Sequence, residues 1–120
     1  MALHQSGEDY LEAILELKES KGMVRSIDVA HHLGYSKPSV SRAVSILKEN
    51  GYITVDDASH LELTGEGKSV ARDISERHRL LTDWLVSLGV PEEIAAEDAC
   101  KIEHDLSPET FACLKRHLMK

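Results

Sequence analysis

Two short amphipathic segments joined through a glycine, followed by a change of hydrophobic period, constrain this chain more than any other feature. The first is IDVAHHLG, which follows Ser26; Ile27, Val29, Ala30 and Leu33 are its apolar positions, and Gly34 suits the left-handed turn that ends a helix. The second is YSKPSVSRAVSILKENG. Here Ser36 can cap the helix start, Pro38 occupies the first turn where a missing N–H costs nothing, and Gly51 ends the segment. Val40, Val44 and Leu47 form its apolar stripe, which leaves Lys37, Ser39, Arg42 and Ser45 facing outward. YITV and LEL then read as short strands around the polar DDASH, the pattern of a β-hairpin. Helix, tight turn, helix and hairpin in this order predict a winged helix-turn-helix, with the second helix as the element that enters a DNA groove.

The remainder reads as helix. EDYLEAILEL carries Tyr10, Leu11, Ile14, Leu15 and Leu17 at helical spacing and stops at Gly22. Thr64 is placed to cap a long helix that ends at Gly89; a further segment has Pro91 in its first turn, and the last begins with Ser107 as cap and Pro108 just inside. Leu81, Trp84, Leu85 and Leu88 form an apolar stripe suited to dimerisation, and Cys113, among Phe111, Leu114 and Leu118, is expected in the core or a dimer interface. His31 and His32 fall on the surface of the supporting helix, and His4 and His117 sit near the termini without a role. The expected class is mainly α, an α+β winged helix-turn-helix over residues 1–63 with an all-helical C-terminal dimerisation domain over 64–120.

At 120 residues the chain can bury roughly two-thirds of its unfolded surface, so it does not need disulfides. It has only two cysteines, no apolar signal region in MALHQSGEDY and no run long enough to span a membrane, which together point to a reduced, cytoplasmic compartment.

The net charge of -7 argues at first against nucleic acid, but the charge is unevenly placed. Between Lys21 and Asn50 five basic residues face two acidic ones, whereas Glu92 to Glu109 is strongly acidic. A cationic N-terminal half can meet phosphate while the acidic half attracts cations. Arg25, Ser26, Ser36, Lys37, Pro38, Ser39, Ser41 and Arg42 form the expected double-stranded DNA face, its arginine and lysine reaching guanine edges or phosphate and its small hydroxyls donating at close range. The wing, with Asp56, Asp57 and His60, offers few phosphate contacts. One such module buries little surface, so a dimer on a palindromic operator is expected.

Metal-ligand residue types recur in three distant places: Asp9 and Glu12 in the first helix, His78 mid-chain, and Cys100, Glu103 and His104 near the end. Helical spacing of three and four puts Asp9 with Glu12, and Cys100 with Glu103 and His104, on shared faces. Carboxylate, imidazole and thiolate from separate helices can close a transition-metal site. Singly, each has an ordinary alternative: first-turn carboxylates, a surface histidine, a small core cysteine, a solvated Glu-His pair.

EDYLEAI, SVSRAVSILKENGYI, LELTGEGKSVA, RHRLL and CKIEHDLS, in that order, resemble the diphtheria-toxin-repressor and manganese-transport-regulator family along essentially the whole chain. The resemblance implies a homodimeric, metal-dependent winged-helix repressor of metal-homeostasis genes, in the short form without an extra SH3-like domain. It also implies ligand roles for Asp9, Glu12, His78, Glu103 and His104, as in the manganese branch. Cys100 departs: the manganese branch has a bridging glutamate there and the iron branch a cysteine, while the iron branch has methionine at the position of Asp9. The iron branch's ancillary ligands would fall at Thr82 and Ala96, which cannot serve. The donor set is thus a hybrid of soft thiolate and hard oxygen, compatible with manganese(II) or iron(II), and also with zinc(II) or cobalt(II). One site is expected from Asp9, Cys100, Glu103 and His104, with Glu12 and His78, sharing Glu103, available for a second. Two other readings of the same residues are a winged-helix repressor that senses thiol oxidation through Cys100 or Cys113, and a small metallohydrolase, although no HExxH motif is present.

Overall fold

The computed structural model describes residues 5–119, so His4 lies outside the described residues. Its elements run α1 (Gln5–Lys21), α2 (Ser26–Leu33), α3 (Lys37–Glu49), β1 (Ile53–Val55), β2 (Leu61–Leu63), α4 (Gly65–Ser87), α5 (Glu92–Ile102) and α6 (Pro108–Leu118). The contacts divide the chain into two units, Met1–Arg72 and Asp73–Lys120.

The first unit is a winged helix-turn-helix. Gly34 closes α2 at φ 72°, its N–H donating to the Ala30 carbonyl, so the chain reverses within three residues into α3. Ser36 caps α3 by accepting the Ser39 N–H at 3.3 Å, with Pro38 in the first turn, as the sequence pattern requires. At the start of α2, Arg25 and not Ser26 holds the cap position, and Asp28 Oδ2 accepts the Arg25 N–H at 2.9 Å. The strands pair antiparallel in the register Ile53–Leu63, Thr54–Glu62 and Val55–Leu61. The wing's tip turns through Ser59 at φ 65°, while the Asp56 carboxylate accepts the N–H groups of Ala58 and His60. These bonds and the His60 ring hold the Asp56 carboxyl below its ordinary value.

Leu11, Ile14, Val24, Val29, Val40, Leu47, Ile53 and Leu61 fill the core of this unit from all of its elements. Burial of each large aliphatic side chain contributes roughly 1.5–3 kcal/mol, which fixes the exposed face of α3 by default. Thr64 joins the wing to α4: its hydroxyl donates to the Gly51 carbonyl at 2.7 Å and accepts the Gly67 N–H at 3.1 Å.

In the second unit Ile74, Leu81, Ala95, Ala99 and Phe111 are buried. Pro91 sits one residue ahead of α5, at its N-cap, instead of inside the first turn. Ser107 caps α6 by accepting the Thr110 N–H, with Pro108 at the start. Cys113 is exposed, which corrects the expectation of a core position in this chain. The buried stripe of α6 follows Phe111, Leu114 and Leu118 at helical spacing, and Cys113 falls off that phase. Trp84 and Leu85 are half-buried, whereas Leu88, Val86 and Ile94 are exposed.

Candidate metal centre and DNA-binding face

The second unit gathers three kinds of metal donor at the end of α5. The ligand atoms of Cys100, Glu103 and His104 lie within 4.8 Å of one another. The helix itself stops at Ile102. Glu103 nevertheless keeps helical backbone angles at the C-cap (φ -57°, ψ -31°), so its spacing of three from Cys100 still brings both side chains to one side. His104 follows in the turn, with Nε2 3.3 Å from Glu103 Oε1.

Burial makes this cluster unusual. Glu103 has no solvent exposure and the His104 side chain only 1%. A buried carboxylate is costly unless charge or hydrogen bonding compensates it. From α4, His78 Nδ1 comes within 3.0 Å of Glu103 Oε2. Thiol, carboxylate and imidazole together suit a divalent transition ion, soft at sulfur and hard at oxygen.

Asp9 and Glu12 lie in the first unit, three residues apart on α1 and both half-buried. Thr82, whose hydroxyl donates to the His78 carbonyl at 2.7 Å, is committed to the helix backbone.

Arg77, the first residue of RHRLL, reaches this cluster from α4, although the sequence gives its side chain no role. Its Nη1 donates to the Glu103 carbonyl at 2.9 Å and to the Leu106 carbonyl at 2.8 Å, and its guanidinium lies 5.0 Å from the centroid of the Phe111 ring. Its sequence signal is its position in RHRLL, directly before His78.

The residues expected to face DNA lie on the first unit. Arg25, Lys37, Pro38, Ser39, Ser41 and Arg42 are exposed, and Ser26 is half-buried. Ser26, Lys37 and Ser41 line, with Ile27, a cavity of about 210 Å³ between α2 and α3. Ser36 is exposed but already engaged, its hydroxyl donating to Ser39 Oγ at 2.8 Å while accepting the Ser39 N–H.

Two family models match successive parts of the chain. Residues 2–61 match the iron-dependent-repressor N-terminal DNA-binding domain, and residues 64–120 match the iron-dependent-repressor metal-binding and dimerisation domain. The transcriptional regulator MntR of Escherichia coli O157:H7 is 35% identical over 113 residues, covering 94% of this chain and 73% of that protein. The HTH-type transcriptional regulator MntR of Bacillus subtilis is 38% identical over 102 residues, covering 85% and 72%. A solved manganese-dependent transcriptional repressor in complex with manganese superposes with a TM-score of 0.82 at 30% identity, over 93% of this chain. This chain spans 52% of that protein's length. The chain therefore belongs to the iron-dependent repressor family, built from a DNA-binding domain and a metal-binding and dimerisation domain.

Proposed function

We propose that this protein is a metal(II)-dependent transcriptional repressor, responsive to manganese or iron, that controls genes of metal-ion homeostasis. The observation that carries this reading is the meeting of a thiol, a buried carboxylate and a buried imidazole at the end of α5, in a chain that also bears an exposed, capped α3. In this reading Asp9 joins Cys100, Glu103 and His104 as ligands of one ion, and Glu12 and His78 supply a second position that shares Glu103. Manganese(II) or iron(II) fits the mixed donors, and zinc(II) and cobalt(II) fit them also.

The protein acts as a homodimer, through the exposed Leu88, Val86 and Ile94 of the second unit, and reads a palindromic DNA operator with α3 of each protomer. Arg42 and Lys37 approach bases and phosphate, Arg25, Ser26 and Pro38 border the contact, and Ser39 and Ser41 donate at short range, while Ser36 chiefly fixes the start of the helix. A bound ion supplies a cationic link between ligands on α1 and ligands in the C-terminal domain. Asp9 and Glu12 thereby restrict the positions that their own domain can sample, and fewer spacings of the paired α3 helices remain. Binding of metal and of DNA then favour the same arrangement, with a coupling of about 1–3 kcal/mol, or roughly 5- to 150-fold. The protein is cytoplasmic and not an enzyme; among the described residues no helix is long and apolar enough to cross a membrane.

The test is an anaerobic DNA-binding titration of wild type, Cys100→Ala and Glu103→Gln, each with manganese(II), with iron(II) and with chelator. Both variants are expected to lose most of the metal-dependent gain in affinity. A Cys100→Ala protein with the full gain would remove Cys100 from the ligand set.

A further inference from the structure

We infer that Arg77 is a positioning residue for the metal ligands, holding the turn that carries Glu103 and His104 in its binding geometry; this rests on the metal-site reading above. The α5 ladder ends at Ile102, and the carbonyls at the end of a helix have no partner further along it. Arg77 reaches the turn beyond it from α4, where Nη1 donates to the carbonyls of both Glu103 and Leu106 and so clasps the turn at its two ends. The same guanidinium lies against the ring of Phe111, a buried residue of α6, which fixes the arginine from a third element.

The adjacent residue completes the arrangement. His78 contacts the Glu103 carboxylate while Arg77 holds the Glu103 main chain, so two consecutive residues of α4 set one ligand by its two ends. Outer partners that orient a ligand typically change metal affinity by about 10- to 100-fold. A planar guanidinium suits this role better than an ammonium, because it can donate to two carbonyls and stack on a ring at once.

Cobalt(II) tests the inference, since its d–d bands report coordination geometry and its sulfur charge-transfer band reports thiolate ligation. The full-length dimer would be titrated anaerobically as wild type, Arg77→Met and Arg77→Lys, and amide hydrogen exchange over residues 103–107 would be measured in chelator. Arg77→Met is expected to bind cobalt(II) about 10- to 100-fold more weakly, with altered d–d bands and with faster exchange confined to the turn. Arg77→Lys is expected between the two, as it keeps a donor but loses the planar contact. Wild-type affinity, spectrum and exchange in Arg77→Met would overturn the assignment. If Arg77→Met does not fold, Arg77→Lys decides, and a wild-type spectrum and exchange there overturn it. Failure of the wild type to bind cobalt(II) at all would instead overturn the metal-site reading, and the Arg77 inference with it.

Discussion

His78 Nδ1 stands 3.0 Å from the Oε2 atom of Glu103, a carboxylate with no exposure to solvent. The contact joins α4 to the end of α5. It gives a buried carboxylate a partner within the fold, which stabilises it. In chelator, His78→Ala is expected to destabilise by about 1–3 kcal/mol, because it removes one partner of a buried acceptor. A urea melt reads the loss as a lower midpoint at unchanged slope. A wild-type midpoint would mean that the pairing carries no stability before metal binds.

Arg42 sits on the exposed face of α3, remote in sequence from every proposed ligand. Arg42→Ala is expected to weaken operator binding by about 1–3 kcal/mol and to leave metal affinity unchanged. Fluorescence anisotropy for DNA and calorimetry for metal separate the two. Loss of both would place Arg42 in the fold and not in the interface.

At Gly67 a Cβ would run into the Tyr52 carbonyl oxygen, which already accepts the Thr64 N–H at 3.0 Å. The obstacle is backbone and cannot swing aside. Gly67→Ala is expected to cost about 1–3 kcal/mol or more, despite alanine's better helix propensity. Thermal unfolding would show the drop, and a variant at least as stable as wild type would contradict the packing of α4 on the wing.

Asp28 links the start of α2 to α1. Lys21 Nζ donates to its Oδ1 at 2.6 Å and the Arg25 N–H to its Oδ2 at 2.9 Å, and these bonds hold the Asp28 carboxyl below its ordinary 3.8. A carboxyl with a lowered folded value stabilises fully above its unfolded value, and the contribution fades as pH falls through the folded one. Asp28→Asn is therefore expected to destabilise by about 0.5–2 kcal/mol at neutral pH, and by progressively less below pH 3.8. Equal destabilisation at both pH values would show that the charge plays no part.

The elements most readable from sequence are those set by local chemistry. Ser36 with Pro38, Gly34, Thr64 and Ser107 with Pro108 mark helix boundaries because each satisfies or replaces a backbone group within a few residues. The types of the candidate ligands were equally readable, since thiol, carboxylate and imidazole announce themselves. What escaped was set at a distance or by helix phase. The partners of Arg77 are main-chain carbonyls 26 and 29 residues away, and any residue type could have provided them. The stop of α5 after Ile102 has no glycine or proline to mark it, and Glu103 keeps helical angles beyond it. Cys113 lies outside the core because its apolar neighbours describe a face one step around the helix from its own, and its exposure leaves the dimer-interface alternative untouched.

In this protein metal is proposed to control operator binding. The direct measurement is anisotropy of labelled duplex DNA from upstream of the protein's own gene, titrated anaerobically with reduced protein in manganese(II), iron(II), zinc(II) and chelator. Tight, specific binding is expected only with metal, gaining roughly 5- to 150-fold over the chelated control. Affinity that ignores metal but falls on peroxide treatment in chelator would contradict metal control, leaving a DNA-binding protein that responds through its thiols.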